Sequence, residues 1–246
     1  HGYGKSPESY SDLLDATALK GARIGILRQS IGFNAEPNSE DFKKVTEMFD
    51  QAVTDLSSAG AEIVDPIEIT DLNELLAKRA RNAEEEDQSY EDYAAGSGAP
   101  FKTRTEIMSS QQFAEVSHGF QTRWNVKQAD GALEEYVKAR EELMTNFLVV
   151  MADNKLDAIV HKAVEHQPTL IADGINPPWV DQKGAPHLNT FLIFVPSVVE
   201  PAGFTSDDLP TGITFLGRPY DDANMLRFAY SYEQATHHRR IPSSCP

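Results

Sequence analysis

Cysteine is almost missing from this sequence of 246 residues: the one copy is Cys245. An internal disulfide is therefore excluded, and so is a cysteine-ligated metal cluster. A lone thiol with no base held beside it reads as incidental rather than nucleophilic. Long apolar runs are absent too, so no helix is expected to span a bilayer. Basic residues are few, 22 Lys and Arg against 38 Asp and Glu, for a formal net charge of -16. Such a surface repels nucleic acid and anionic membranes on average, and neither is expected as a partner. The acidity points to a soluble, cytoplasmic-type surface. Internal repeats and low-complexity segments are also lacking. The sequence begins His1-Gly2-Tyr3 rather than with Met, which leads to the expectation of a removed N-terminus or a longer parent chain.

What is present is enough for a sizeable core. Hydrophobic residues make up 40%, ordinary for a globular protein and too many for a disordered one. Residues 1–20 are polar and turn-rich, an extended lead-in. Ala22–Leu27 alternates and is β-branched, as a buried strand should. A helix is expected over about Ser39–Ala59. Ser39 or Asn38 caps it, Glu40 and Asp41 suit the positive end of its dipole, and Gly60 stops it. Phe42, Val45, Phe49, Ala52, Val53 and Leu56 mark its apolar face. Ala61–Val64 then forms a second strand, broken by Pro66. Strand, helix and strand with short joins make a βαβ unit, parallel and right-handed.

Residues 71–145 differ: charge is dense and strand signals are few. Helices are expected over about Leu72–Asp92, Ser110–Gln121 and Ala132–Asn154, forming a helical insertion within a single α/β domain. Leu156–Val160 is a third strand. Residues 161–190 form a long loop rich in Pro and Gly, of a length that is usually functional or mobile. Phe191–Val199 and Thr211–Leu216 are further strands, and Asp222 caps a last helix over Ala223–His237.

Candidate chemistry is sparse. A nucleophilic serine needs a base and oxyanion donors, and no Gly-x-Ser-x-Gly is present. The single Gly-Ser-Gly, at 96–98, sits in a flexible linker. His161, Glu165, His166 and His187 gather near the long loop, but their spacing matches no standard zinc pattern. Hydrogen-bonded loop residues are the simpler account. Glycine spacings lack the strand–loop–helix context of a phosphate cradle. No metal and no cofactor are expected.

One stretch is more specific. Pro201-Ala202-Gly203-Phe204-Thr205, then Leu209-Pro210-Thr211-Gly212-Ile213-Thr214-Phe215-Leu216-Gly217-Arg218-Pro219-Tyr220, then a helix-like run to His237-His238-Arg239-Arg240, closely resembles the C-terminal end of amidase signature enzymes, hydrolases of carbon–nitrogen amide bonds. Leu19–Leu27, Ala59–Val64 and Leu156–Val160 are similar to earlier strands of that family's second half. The resemblance implies an α/β fold, a mixed sheet flanked by helices, of which this chain is the C-terminal portion. It implies serine acyl transfer on a small-molecule amide substrate. The family's catalytic Lys and two Ser lie in a glycine- and serine-rich stretch that has no counterpart here, so no catalytic residue is assigned and the chain alone is expected to be inactive. Two positions depart from the family. His161-Lys162-Ala163 stands where Tyr-Pro-Thr is usual, and Glu200 replaces an apolar residue before Pro201. The resemblance places His161, His187, Asn189 and Thr190 on the wall of the substrate cleft. It also implies that Ala22–Leu27, Phe191–Val199 and Thr211–Leu216 border the N-terminal catalytic half. The expected partners are then that missing half or a second copy through self-association. The competing readings are a non-catalytic binding or scaffold protein derived from an amidase half, and a metal enzyme built on the His161–His187 loop.

Overall fold

A strand–helix–strand unit opens the fold, and the remaining strands are added on one side of it. The computed structural model describes residues 7–80, 83–116, 118–125, 129–186, 188–192 and 195–242. The strands are β1 (Arg23–Leu27), β2 (Gly32–Phe33), β3 (Glu62–Ile67), β4 (Ala158–Lys162), β5 (Ala185–Pro186), β6 (Ser197–Phe204) and β7 (Pro210–Leu216). The helices are α1 (Glu40–Ser58), α2 (Leu72–Ala77), α3 (Ala83–Gly96), α4 (Arg104–Met108), α5 (His118–Asn125), α6 (Ala132–Asp153), α7 (Ile171–Ile175), α8 (Leu188–Phe191) and α9 (Asp222–Thr236). These elements fall into two compact units. One comprises His1–Ala77, Ala139–Gln167 and Lys183–Pro246, the other Lys78–Lys138 and Pro168–Gln182.

The first unit is built on a five-stranded sheet in the order β3-β1-β4-β7-β6. β1 runs parallel to both β3 and β4. β7 runs antiparallel to β4 and to β6. The sheet is thus mixed and flanked by helices, as expected. α1 starts as its sequence dictates: the Ser39 hydroxyl accepts a hydrogen bond from Phe42 N. It ends at Ala59, followed by Gly60 at φ +101°, a conformation that costs a side-chain-bearing residue about 1–2 kcal/mol. Val45, Phe49, Ala52 and Leu56 are its buried face.

Side chains alternate across a strand, so the sheet has two faces. Ile24, Ile26, Ala158, Val160, Ala202, Ile213 and Phe215 pack with Phe49, Ala52 and Leu56 of α1 and with Met225, Phe228, Ala229 and Tyr232 of α9. Leu27, Ile159 and His161 point the other way, and they are buried as well. β4 is accordingly buried at all five positions, the pattern of a central strand rather than of a half-solvated one.

Several boundaries differ from expectation. β3 does not stop at Pro66 but continues to Ile67, with a register shift between Gly25 and Leu27 of its partner. An edge strand accepts proline at such an irregularity, because the missing N–H faces no neighbour. Phe191 and Leu192, the first residues of the strand expected over Phe191–Val199, are not strand: α8 ends at Phe191, and β6 starts at Ser197. Leu188, Phe191 and Leu192 are all buried, a helical spacing of three and four that outweighed local β propensity. β6 then runs through Glu200 and Pro201 to Phe204. β1 and β7 are interior strands, so Ala22–Leu27 and Thr211–Leu216 present no free edge. The outermost strands are β3 and β6. The helix expected over Leu72–Asp92 is two helices, α2 and α3. Gln111–Glu115 is a 3-10 turn ahead of α5. The last helix starts one residue earlier than expected, with Asp221 at its N-cap position and no side-chain cap bond.

The second unit is helical. Its aromatic centre joins Phe113 to Phe120 and Trp124, with ring centroids 6.4 and 5.9 Å apart. The Arg104 guanidinium stacks over Trp124 at 4.7 Å and donates to Asp87 at 2.9 Å. His118 stacks on Trp179 at 4.5 Å.

Phe215 is fully buried and meets Tyr232 edge-on at 6.2 Å. Phe215→Ala is expected to lower unfolding free energy by about 3–5 kcal/mol, the usual cost of an emptied aromatic site. Urea unfolding measures it, and a loss below about 1 kcal/mol would contradict the assigned core.

Candidate functional site

In open α/β sheets the ligand-facing side lies beyond the carboxyl ends of the parallel strands. Here those ends are Leu27, Ile67 and Lys162, and the segments that follow them are tied together by polar side chains. Arg28, just past β1, donates two bonds to Asp65 at 2.6 and 2.7 Å and a third to Asp50 at 2.7 Å. These contacts, led by the bond to Asp65, raise its already high pKa. Gln29 pairs with the Ile69 backbone: its amide oxygen accepts from Ile69 N at 2.7 Å, and its nitrogen donates to Ile69 O at 3.2 Å.

The segment after β4 is held by a buried carboxylate. Glu165 accepts from the Ser30 hydroxyl at 2.7 Å, Ile31 N at 3.0 Å and Gly32 N at 2.7 Å. Three donors satisfy a charge that burial alone would penalise. Glu165 N in turn donates to Gly184 O at 2.9 Å. A Cβ on Gly184 would sit 2.5 Å from His166 N, so only glycine lets the backbone leading into β5 approach this closely. Gln167, also buried, donates to Asp41 at 2.8 Å and Asp207 at 2.9 Å, and accepts from Thr205 at 2.6 Å. His166 bonds Gln167 O through Nδ1 at 2.7 Å, with Nε2 3.7 Å from both Glu36 and Asp41. Glu165 and His166 are thus committed to holding loops. Among the described residues no group of three or more His, Cys, Asp or Glu is placed to bind a metal ion.

Lys162 ends β4 on the α1 face. Its ammonium donates to Thr46 Oγ1 at 2.7 Å and lies 4.0 Å from the Phe42 ring centroid. Burial lowers its pKa, against the attraction of Glu165 and Asp50. Sequence reasoning named Lys162 only within the His161-Lys162-Ala163 departure and did not single out Gln167. Their signal would have been polar residues continuing directly from an apolar strand, where the carboxyl end of β4 was due.

Of the four expected wall residues, the structure describes two side chains. His161 is 3% exposed within β4, opposite Thr214. Its Nδ1 bonds Lys162 O at 2.7 Å, and its Nε2 is buried without a partner. Since a carbonyl can only accept, Nδ1 carries the proton and Nε2 presents a lone pair. Burial drives the pKa down to about 4, so the ring is neutral at neutral pH. Asn189 lies in α8 and is exposed. It donates to the Ser197 hydroxyl at 2.9 Å. Ser197 lines a cleft of about 250 Å³ with Tyr10, Pro196, Val198, Asp222 and Leu226. His187 and the side chain of Thr190 lie outside the described residues. His161 and Asn189 have separate partners, the Lys162 carbonyl and the Ser197 hydroxyl. The registers place His161 beside Thr214 and Thr214 beside Val199, so two strand spacings of about 5 Å each separate His161 from β6.

The geometry defines a mixed α/β sheet with its polar ties at the carboxyl ends of the parallel strands. The sequence model of the Amidase family matches residues 4–226. The chain belongs to that family. It is 24% identical over 255 residues to a glutamyl-tRNA(Gln) amidotransferase subunit from Levilactobacillus brevis, covering 96% of this chain and 49% of that protein. The corresponding protein of Thermodesulfovibrio yellowstonii is 44% identical over 45 residues, 18% of this chain and 9% of the relative. Among solved structures, the native peptide amidase of Stenotrophomonas maltophilia superposes with a TM-score of 0.63 at 23% identity, over 96% of this chain and 48% of that one. An amidase family protein of Bacillus anthracis superposes at 0.67 and 20% identity, over 98% and 44%. The chain spans about half the length of the curated relatives it matches end to end.

Two outcomes test this description. Glu165→Ala strands three donors and is expected to cost on the order of 3 kcal/mol. Thermal unfolding unchanged within about 1 °C would contradict the tie. His161 has a folded-state pKa near 4 against an ordinary 6.5. The unfolded chain therefore binds the extra proton first as pH falls. The stability from this group is complete above about pH 6.5 and is lost toward about pH 4, by roughly 3 kcal/mol. His161→Leu should flatten that part of the stability–pH curve. An unchanged curve would show that His161 is not the group responsible.

Proposed function

We propose that this chain is the C-terminal part of an amidase that cleaves carbon–nitrogen amide bonds by serine acyl transfer. It supplies sheet core and one wall of the cleft for a small-molecule amide, with residues 71–145 as a helical insertion. The observation that carries the reading is the extent of the likeness: the Amidase family model spans residues 4–226, and nearly the whole chain aligns with about half of its Levilactobacillus brevis relative. The nucleophile, the proton-relaying serine and the lysine base are then supplied by the other half. Nothing among the described ties replaces them, since Ser30 donates to Glu165 and Ser197 accepts from Asn189.

His161 and Asn189 are the wall residues whose chemistry supports this role. His161 stands behind this wall as a buried neutral ring, and Asn189 offers an amide at the rim of the Ser197 cleft. His187 and Thr190 belong to the same proposed wall. The surface offered to the catalytic half is the outer edge of β6. β3 carries Glu62, Asp65 and Pro66, which blunt an edge. β6 carries Glu200 and Pro201, but its Val199 is 57% exposed, and apolar side chains exposed on an edge strand recruit another chain. A non-catalytic scaffold derived from an amidase half is the alternative, favoured by the lack of a nucleophile.

The 246-residue chain alone is expected to turn over no simple aryl or alkyl amide. Supplying a polypeptide that carries the glycine- and serine-rich half should produce a complex by light scattering and measurable turnover. In that complex Asn189→Ala should lower kcat/KM by about tenfold, the worth of one hydrogen bond. Turnover by the chain alone, surviving chelator and abolished by a serine-directed acylating reagent, would overturn the assignment of the nucleophile elsewhere. A stable monomer with no affinity for the other half would favour the scaffold.

A further inference from the structure

The cleft of about 250 Å³ beside the start of α9 is built from three segments of the first unit. Tyr10 comes from the lead-in, Pro196, Ser197 and Val198 from the entry to β6, and Asp222 and Leu226 from α9. Its walls are held in place. Ser231, a buried hydroxyl of α9, donates to Ala16 O at 2.9 Å and accepts from Leu19 N at 3.3 Å, which ties the lead-in along the helix. Arg227 adds a bond to Asp15 at 3.5 Å. On the strand side, Pro196 O accepts from Gly217 N at 3.1 Å, and Val198 packs against the core.

The lining divides by chemistry. Tyr10, Pro196, Val198 and Leu226 give apolar surface. Asp222 stands four residues before Leu226, so both lie on one face of α9. Asp222 is exposed, and its carboxylate has no hydrogen bond or ion pair among the described residues. The positive end of the α9 dipole favours its charged form. The basic side chains nearest in sequence are committed elsewhere: Arg218 donates to Leu156 O at 2.7 Å, and Arg227 bonds Asp15 and Asn224. Asp221 is occupied as well, accepting from Asn224 at 2.7 Å. Ser197 accepts one bond, from Asn189 at 2.9 Å. A hydroxyl oxygen has two acceptor sites, so a second stays available. Apolar walls with a few placed polar groups are the usual make-up of a small-molecule site. Here the unpaired group is an anion, and the net charge of -16 draws cations rather than anions towards it.

We propose that this cleft binds a primary ammonium compound with a short apolar body, such as an arylalkylamine. The ammonium pairs with Asp222 and donates to Ser197 Oγ. The ring or alkyl chain lies on Pro196, Val198 and Leu226, and Tyr10 closes the remaining side. The volume falls below the roughly 300 Å³ at which drug-sized sites begin, which limits the occupant to one ring or a short chain. Every group involved belongs to this chain, so the binding does not rest on the proposed hydrolysis. An amine is also what cleavage of a carbon–nitrogen amide releases, and under the proposed function the cleft takes that product.

Benzylamine, a cation at neutral pH, tests the site when titrated into the 246-residue chain at low salt, with benzyl alcohol as its uncharged counterpart. The amide NMR signals of Tyr10, Val198 and Leu226 should shift together and saturate. Benzylamine should bind about fivefold more tightly than the alcohol, the upper worth of an exposed ion pair, and added salt should shrink the difference. Asp222→Asn keeps the shape and removes the charge. It should bring benzylamine down to the level of the alcohol and leave the alcohol unchanged. Leu226→Ala should weaken both ligands alike. Unaltered amide signals in the rest of α9 verify that the variants fold. Equal binding of the two ligands, a preference for benzylamine that survives in Asp222→Asn, or the absence of saturable shifts at the cleft would each overturn the proposal. None of these readouts depends on amide turnover, which tests the proposed function alone.

Discussion

The constraint on which this structure turns is the position of β4. It hydrogen-bonds to β1 on one side and β7 on the other, and all five of its residues are buried. A strand enclosed in this way has no polar face to give away. When its sequence carries His161 and Lys162 at the carboxyl end, both must be accommodated dry. His161 does so by staying neutral. Lys162 does so through Thr46 and the Phe42 ring. The parallel–antiparallel switch at β4 is also what makes the sheet mixed, with the βαβ unit on one side and the β6–β7 hairpin on the other.

The polar ties beyond β4 follow from the same burial. The chain leaves a dry strand and must satisfy its backbone at once. Glu165 takes three donors from Ser30–Gly32, and Gln167 bridges the start of α1 to the β6–β7 turn. These ties hold the loops after β1 and β4 in one arrangement.

Two buried ionisable groups act on stability in opposite directions. His161 withdraws stability as pH falls below 6.5, because its folded pKa is depressed. Glu200 withdraws stability as pH rises above 4.5, because its folded pKa is raised. Both lie in strands of the central sheet, His161 in β4 and Glu200 in β6.

The sequence by itself determined the elements whose signals are local. α1 was readable from its cap, its apolar stripe and Gly60. The βαβ start was readable from β-branched alternation, and the membership of the Amidase family from residues 201–240. Tertiary structure decided what depends on neighbours. Phe191 closes α8 instead of opening the expected strand, because it buries together with Leu188 and Leu192. β1 and β7 became interior strands, which no periodicity reveals. The orphaned Nε2 of His161 and the separation of His161 from Asn189 both depend on sheet register. Register is set by pairing between segments dozens of residues apart, and a linear pattern carries no record of which strand lies beside which.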